Sequence, residues 1–157
     1  MHKRNSMVFD SVRLVAVISV AVCLIPAGAH FFELGNKMSL STAEYMTTQK
    51  IYAGWSFFGV AIIAAIVLTL MHTLMVRVER TAFLLSLTGL LCLAATQVIF
   101  WTFTYPMNVV TNNWTITPQD FEAARRQWEY SHAVNAVLTL VALVTITLSA
   151  LTYKREN

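Results

Sequence analysis

Charged residues are scarce in this sequence. Asp, Glu, Lys and Arg make up 12% of its 157 residues, whereas hydrophobic residues make up 57%. Soluble domains carry about 25% charged residues, so an ordinary soluble domain is excluded. The few basic residues are scattered rather than interleaved with aromatic residues in a patch, and we therefore expect no nucleic-acid partner.

Cysteine and glycine are scarce as well. The two cysteines, Cys23 and Cys92, form no CxxC or CxxCH pattern, which excludes a zinc knuckle and covalently attached haem. Both fall within apolar runs, so we expect thiols that pack like small apolar residues. None of the five glycines belongs to a glycine-rich loop, and the sequence therefore contains no phosphate-binding loop.

What the sequence has instead is four long apolar runs. A helix that crosses the hydrocarbon core of a bilayer needs about 20 apolar residues. We place the spans at about 12–34, 50–76, 81–104 and 130–153, with longer loops at about 35–49 and 105–129. The predicted fold is a single all-α membrane domain, residues 1–157, built as an antiparallel bundle of four transmembrane helices.

The positive charges predict the orientation of this bundle. Lys and Arg gather on the cytoplasmic side of short loops. We therefore place both termini and the short connection RVER in the cytoplasm, in a multi-pass protein of a bacterial inner membrane. The residues that mark this side are Lys3, Arg4, Arg13, Arg77, Arg80, Lys154 and Arg155.

The first apolar run also has features of a signal peptide. A basic start, MHKRN, precedes it, and the small residues Ala27, Gly28 and Ala29 resemble a cleavage site. The uncharged run at residues 14–32 is longer than the apolar region of a signal peptide. We expect it to be retained as the first span.

The fourth helix is expected to extend outside the membrane. Thr117 suits the N-cap, Pro118 suits the first helical position, and Asp120 completes a Thr-x-x-acid capping pattern. A helix from Pro118 to Thr152 would be about 52 Å long at 1.5 Å per residue, whereas the hydrocarbon core is about 30 Å thick. In the first helix, Pro26 is expected to produce a kink and Gly28 to admit a close neighbour.

Two matched motifs predict a site at the outer ends of the first and fourth helices. HFFE places His30 and Glu33 three residues apart, and EYSH places Glu129 and His132 three apart in reverse order. Residues three apart share a helix face, so in an antiparallel pair the histidines share one depth and the glutamates another. Two histidines and two carboxylates suit iron, zinc, manganese or copper, and di-iron bundles use Glu-x-x-His in the same way. All four residues are therefore candidate metal ligands.

A structural network is the alternative interpretation of the same residues. Glu129 could pair with Arg125 or Arg126, which lie one helical turn before it. Glu33 could pair with Lys37 in the same way. Ionisable groups within a membrane span are costly to bury, however, and this cost favours a function.

Aromatic residues are concentrated on the predicted outer side. All four tryptophans lie there, whereas an aromatic belt would populate both interfaces. The asymmetry favours an outer-facing pocket for a small apolar or aromatic ligand. The candidate substrate-binding residues are Tyr52, Trp55, Trp101 and Trp128. His72, near the cytoplasmic end of the second helix, has no acidic neighbour on its face, and we assign it to the membrane interface.

Four segments resemble bacterial four-helix membrane proteins of the anthrone-oxygenase-like family. They are AHFFELGNK, IYAGW, FWTFTYPMNVVTNNWT and RRQWEYSHA, and the resemblance as a whole covers nearly all of the chain. The shared markers are His30, the pair Pro106 and Asn108, and the pair Trp128 and His132. Most members have no assigned activity, and a few fungal relatives are linked to oxygenation of polycyclic anthrones. WEYSH and NNWT look like forms of a bacterial subgroup, and nothing in the sequence indicates a polyketide substrate.

The resemblance implies an oxygenase-like oxidoreductase that acts on a small apolar or aromatic molecule. In such an enzyme His132 would be the acid–base catalyst, because its pKa lies near neutrality. Asn108 and Tyr105 would hold an oxyanion, and a metal bound by the paired motifs would instead activate oxygen or water directly.

Two other functions fit the same residues. One is a metal- or haem-binding accessory subunit, in which His30 and His132 would be the axial ligands of a b-type haem. The other is a structural or interaction protein without catalysis, in which ion pairs order the loops. The bilayer is the partner common to all three, and the sequence leaves an oligomer or a partner subunit open.

Overall fold

Helices make up almost all of the chain that the structure describes. This computed structural model describes residues 2–153, and for residues 2–6 the backbone alone. Within that range there is no strand, and the α-helices are α1 (His2–Ser39), α2 (Thr42–Thr48), α3 (Phe58–Met75), α4 (Arg80–Ile99), α5 (Tyr105–Val110) and α6 (Phe121–Thr152). Two 3-10 turns, Gln49–Tyr52 and Trp55–Phe57, precede α3, and a π-helical segment, Phe100–Thr104, joins α4 to α5.

Four helical segments are long and apolar enough to cross a membrane. They are Met7–Ser39, Trp55–Met75, Arg80–Val110 and Phe121–Thr152. The predicted all-α fold with four apolar spans is confirmed at this level. Their outward faces carry large apolar side chains such as Phe32, Val60 and Val98, which are 83%, 69% and 65% exposed. Apolar surface of this extent suits contact with lipid.

The helices form an antiparallel bundle in which α6 lies against α1 and α4, and α3 lies against the same two helices. Phe9 stacks on Tyr153 with the ring centroids 5.0 Å apart, so the first and last helices meet at one end of the bundle. We call this end the termini end. The opposite end, where α1 finishes and α6 begins, is called the distal end.

The side of the membrane that each end faces stays a prediction. Lys154 and Arg155, which belong to the charge pattern behind it, lie outside the described residues. The side chains of Lys3 and Arg4 lie outside them as well.

Three clusters of buried side chains follow one another along the bundle. The middle cluster contains Val20, Cys23, Ala65, Leu93, Ala142 and Ile146. The distal cluster contains Tyr45, Trp114, Phe121, Ala124 and Trp128. Phe9, Val76 and Ala82 form the cluster at the termini end. Cys23 is buried and Cys92 partly buried, both as free thiols.

α4 and α6 approach each other closely at Gly89. A Cβ atom on Gly89 would lie 2.6 Å from Cγ1 of Ile146 on α6. Small residues commonly permit such approaches between membrane helices. The expectation that Gly28 has this role is wrong, because a Cβ there would meet no atom within 4 Å. α1 continues as a helix through Pro26.

The start of α6 differs from the prediction. Asp120, rather than Thr117, is the N-cap, and its side chain accepts a hydrogen bond of 3.2 Å from the amide of Ala123. Asp and Thr are both good N-caps. The choice between them follows from packing, because Phe121 is buried in the distal cluster and fixes where the first turn begins.

Candidate functional site

The structure brings the histidines of the two motifs together at the distal end. The rings of His30 and His132 stack with their centroids 4.0 Å apart and their planes 26° from parallel. His30 is buried and also contacts the rings of Tyr52, Trp55 and Trp128, at centroid distances of 4.5, 5.6 and 5.1 Å. The antiparallel register of α1 and α6 produces this meeting.

The two glutamates each accept a hydrogen bond from a phenol. Glu129 is fully buried, and its Oε1 accepts a bond of 2.8 Å from the hydroxyl of Tyr45. Glu33 accepts one from the hydroxyl of Tyr52. Tyr45 comes from α2, which lies in the segment predicted to be a loop. α1, α2 and α6 therefore meet at these carboxylates.

Lys37 is the counter-ion of the buried glutamate. Its Nζ lies 2.5 Å from Oε1 of Glu129, and its side chain is 3% exposed. Nζ also lies over three aromatic rings, 4.6 Å from the centroid of Tyr52, 4.7 Å from that of Trp128 and 5.5 Å from that of Tyr45. The ion pair and the ring faces together offset the cost of removing an ammonium group from water.

The arginines predicted as partners of Glu129 bind elsewhere. Arg125 pairs with Glu122 at 2.6 Å and donates a hydrogen bond of 2.8 Å to the carbonyl of Leu40. Arg126 is exposed and donates to the carbonyl of Glu122. Both predicted ion pairs are therefore wrong. Spacing along one helix could not reveal Lys37, because it approaches Glu129 from a different helix.

Burial raises the pKa of both phenols at this site. For Tyr45 the largest cause is desolvation, followed by the charge of Glu129. For Tyr52 desolvation is again the largest cause, followed by the hydrogen bond to Glu33. Both side chains therefore remain neutral hydroxyl donors at neutral pH and hold the two carboxylates as acceptors.

Several buried polar atoms of the distal end have no hydrogen-bond partner. They include His30 Nδ1, Glu129 Oε2 and both amide atoms of Gln49. Such atoms are uncommon in folded proteins, and each costs about 1–3 kcal/mol. Glu129 is therefore held through one oxygen, while the other is free to accept a proton or a hydrogen bond.

Asn108 is connected to the site by a hydrogen bond with Trp128. The candidates Trp101 and Tyr105 contact each other instead. The indole Nε1 of Trp128 donates a hydrogen bond of 2.7 Å to Oδ1 of Asn108, and its ring contacts that of His132 at 4.3 Å. Trp101 and Tyr105 contact each other at 4.9 Å and are 59% and 44% exposed. Among the described residues, the rings that contact Trp101 are those of Phe100 and Tyr105, and the pocket with Trp55 and Trp128 stays a prediction.

The side chains as arranged do not form a coordination sphere. Among the described residues, no group of three or more His, Cys, Asp or Glu is placed to hold a metal ion. The candidate ligands His30, Glu33, Glu129 and His132 share one end of the bundle, but Lys37 lies directly beside one carboxylate. The stacked histidines also leave no room for a porphyrin between them, so they do not fit as axial ligands of a haem.

His72 lies in the last turn of α3 at the termini end and is buried among the helices. Its assignment to the depth of the membrane interface stays a prediction. Its Nε2 is 3.1 Å from Oγ of Ser149, which in turn donates a hydrogen bond of 2.7 Å to the carbonyl of Ala82. Helical spacing in the sequence reveals only partners on the same helix. The partner is a serine on α6.

Comparison with known proteins finds no relative of this chain. No family model, no curated protein and no solved structure matches it. The likeness to the anthrone-oxygenase-like family therefore remains a prediction from the motifs.

Proposed function

We propose that the chain is a multi-pass inner-membrane protein whose distal end faces outward and carries an acid–base site. The substrate would be a small apolar or aromatic molecule, and the reaction an oxygenation of the anthrone-oxygenase-like type. The observation that carries this proposal is the buried ion pair of Lys37 and Glu129. Removing charges from water into a protein interior is costly, and buried ionisable groups of this kind cluster at functional sites.

The roles of the side chains follow from their contacts. Glu129 would take a proton at Oε2, because Oε1 is already held by Tyr45 and Lys37. The ammonium group of Lys37 would stabilise the anion that proton loss leaves on the substrate. His132 and His30 lie beside Trp128 and would carry the proton away.

This assignment suits a substrate whose carbon-bound proton is made acidic by a neighbouring carbonyl. Loss of the proton from an anthrone-type CH₂ group leaves an electron-rich anion that reacts with O₂, the oxidant. Overall, CH₂ and O₂ give C=O and H₂O. Tyr52 and Trp55, whose ring centroids lie 4.9 Å apart, would provide the apolar surroundings that such a molecule needs.

The orientation and the length of α6 belong to the same proposal. α6 has 32 residues, which is longer than the hydrocarbon core requires. With both termini in the cytoplasm, its first turns would stand outside the membrane. The site would then open to the outer leaflet.

Oxygen uptake tests the proposal. Purified protein in lipid nanodiscs is mixed with anthrone, and O₂ consumption and anthraquinone absorbance are followed against empty nanodiscs. We expect Glu129→Gln to lower the protein-dependent rate by about 10²-fold or more, as loss of a general base does. His72→Gln changes a buried histidine at the other end and should retain the rate. A wild-type rate equal to that of empty nanodiscs would overturn the proposal.

A structural role is the second candidate, and one observation favours it. The ring faces and Lys37 fill the space around Glu129, so the cluster ties α1, α2 and α6 together. In that case Glu129→Gln would lower the unfolding temperature while the wild type showed no turnover to lose.

A further inference from the structure

Three aromatic rings and a carboxylate surround the ammonium group of Lys37 at the distal end. Its Nζ lies 4.6 Å from the ring centroid of Tyr52, 4.7 Å from that of Trp128 and 5.5 Å from that of Tyr45. The carboxylate of Glu129 lies 2.5 Å from the same atom. Ring faces within about 6 Å of a cation attract it, and aromatic cages of this kind bind quaternary ammonium groups. We call Tyr45, Tyr52, Trp128 and Glu129 the cation cage.

The rings of the cation cage are held in place by hydrogen bonds at their polar ends. The hydroxyls of Tyr45 and Tyr52 each donate to a glutamate, and the indole N–H of Trp128 donates to Oδ1 of Asn108. A binding site whose side chains are already fixed loses little conformational freedom when a ligand enters. The cage is therefore preformed for whatever cation it holds.

Lys37 is an imperfect occupant of this cage. An ammonium group has three N–H donors. Within the described part of the chain, Nζ of Lys37 has its ion pair with Glu129 but makes no hydrogen bond of normal geometry. A quaternary ammonium group carries no N–H, so it would leave no donor unsatisfied among the ring faces. The cage therefore suits a quaternary ammonium group better than the lysine that fills it.

Lys37 also lies where it can leave the cage. It belongs to the last turn of α1, next to the exposed Asn36. The long stem of a lysine lets its charged head reach water while the backbone stays in place. Arg125, whose Cζ lies 5.5 Å from the ring centroid of Tyr45, is held instead by its own ion pair and by a backbone carbonyl. Lys37 is therefore the side chain that would give way to an external cation.

Of the four cage side chains, Tyr52 is the one that is partly exposed. Trp128 is 4% exposed, and Tyr45 and Glu129 are fully buried. Tyr52 ends a 3-10 turn, and Gly54 follows it with a left-handed φ of 85°, so this part of the chain is not continuous with α3. A cation would therefore enter the cage beside Tyr52.

We infer that the cation cage binds a trimethylammonium group and that Lys37 is its displaceable occupant. The methyl groups would face the three rings, and Glu129 would balance the charge. A free cation such as choline and a phosphatidylcholine headgroup both carry this group. Binding does not depend on the proposed oxygenation, but a bound cation would displace the ammonium group that the reaction needs.

Calorimetric titration with two matched probes tests the cage. Choline carries a trimethylammonium group, and 3,3-dimethyl-1-butanol has the same shape with carbon in place of the charged nitrogen. Each is titrated into protein in nanodiscs of phosphatidylglycerol, which has no trimethylammonium group, and the signal of empty nanodiscs is subtracted. We expect choline to bind at least about ten-fold more tightly than the alcohol, because desolvated cation–π contacts contribute that much.

Three variants test the charges at the cage. Lys37→Ala removes a tethered competitor and should tighten choline binding by about ten-fold or more. Glu129→Gln removes the balancing charge and should lower choline binding to that of the alcohol. Lys50→Ala removes the same charge at an exposed lysine and should bind as the wild type does. Because Lys37→Ala leaves Glu129 unpaired, its unfolding temperature is measured too, and choline should raise it more than the alcohol does.

The outcomes distinguish the cage from its alternatives. Equal binding of choline and the alcohol, or choline binding unchanged in Glu129→Gln, would overturn the cage. Choline binding by Lys37→Ala alone would overturn the displacement of Lys37.

Nanodiscs that also contain phosphatidylcholine identify the source of the bound group. Loss of choline binding there would support the cage as a site for the lipid headgroup, and retained binding would support it as a site for a free cation. Choline binding without oxygen uptake would support the cage and refute the oxygenase proposal. Oxygen uptake without choline binding would do the reverse.

Discussion

Lys37 was expected to be a loop residue, but the structure buries it as the counter-ion of Glu129. It lies four positions after Glu33, in a segment that the sequence predicts to be a loop. In the structure its side chain is buried against Glu129 and three aromatic rings. An ammonium group and a carboxylate buried together depend on each other, because either one alone would be an unpaired charge. This mutual dependence can be measured.

Replacing one residue of the Lys37–Glu129 pair should lower the free energy of unfolding more than replacing both. Lys37→Met leaves Glu129 buried without a counter-ion, and we expect a loss of about 3–5 kcal/mol in the free energy of unfolding. The double variant Lys37→Met/Glu129→Leu should recover most of that loss. Lys50→Met, at an exposed lysine, is the control and should change little. Unfolding in detergent measures the coupling, and additive single and double effects would show that the pair is not coupled.

The two buried phenols predict a loss of stability at alkaline pH. Their pKa values are raised in the folded state, whereas an unfolded tyrosine ionises near pH 10. Above about pH 10 the unfolded chain releases these protons and the folded chain retains them, so stability falls as pH rises.

Tyr52→Phe removes one of the groups and should make this fall less steep. The measurement is the free energy of unfolding between pH 7 and 11. Below about pH 9 the difference between wild type and variant should be constant, because neither state ionises there. An unchanged alkaline slope would show that Tyr52 ionises equally readily in both states.

The pairing of α4 and α6 depends on the absence of one side chain. A Cβ at Gly89 would meet Ile146 at 2.6 Å, so Gly89→Ala should force the helices apart and cost about 1–3 kcal/mol. Gly59→Ala is the matched control, since a Cβ there meets no atom within 4 Å. Alanine favours helix over glycine by up to about 1 kcal/mol, so the control should be neutral or stabilising. Equal effects in thermal unfolding would contradict the close contact.

Elements with a local cause were predictable from the sequence, and those with a tertiary cause were not. The four spans follow from hydropathy alone. The capping box of α2, Ser41 and Glu44, is also readable in the sequence and would have revealed that helix. The π-helical segment has no comparable local signal, because it depends on partners in α6. There Gln127 donates to the carbonyl of Phe103 at 3.0 Å, and Thr104 and Ser131 share a bond of 2.7 Å.

In the candidate site, too, the features set by local spacing were predictable and those set by tertiary packing were not. Helical spacing placed His30 and His132 at one depth because both lie on long antiparallel helices. Tyr45 and Lys37 could not be assigned in this way, since their burial depends on how α2 folds across the distal end. Trp101 contacts the rings of Phe100 and Tyr105. Depth along the bundle does not reveal which face of a helix a residue occupies, so such contacts could not be predicted.

The orientation of the whole molecule can be tested by labelling. In a background without Cys23 and Cys92, Ile116→Cys places an exposed thiol at the distal end and Val78→Cys places one in the connection between α3 and α4. We expect a membrane-impermeant maleimide to label Ile116→Cys on intact cells, and Val78→Cys only after permeabilisation. The reverse pattern would place the distal end in the cytoplasm and exclude an outward-facing site.

The apolar middle cluster bears on whether protons can pass from one end of the bundle to the other. Its buried members are apolar, and the two on α1, Val20 and Cys23, lie about 21–26 Å along the helix from Lys37 at 1.5 Å per residue. They lie between the charged groups of the distal end and His72 at the other end, and none of them can carry a charge in this apolar layer. Protons exchanged at the distal end would return to the compartment from which they came. We therefore expect that the proposed reaction moves no protons across the membrane. It would neither be driven by the membrane potential nor contribute to it.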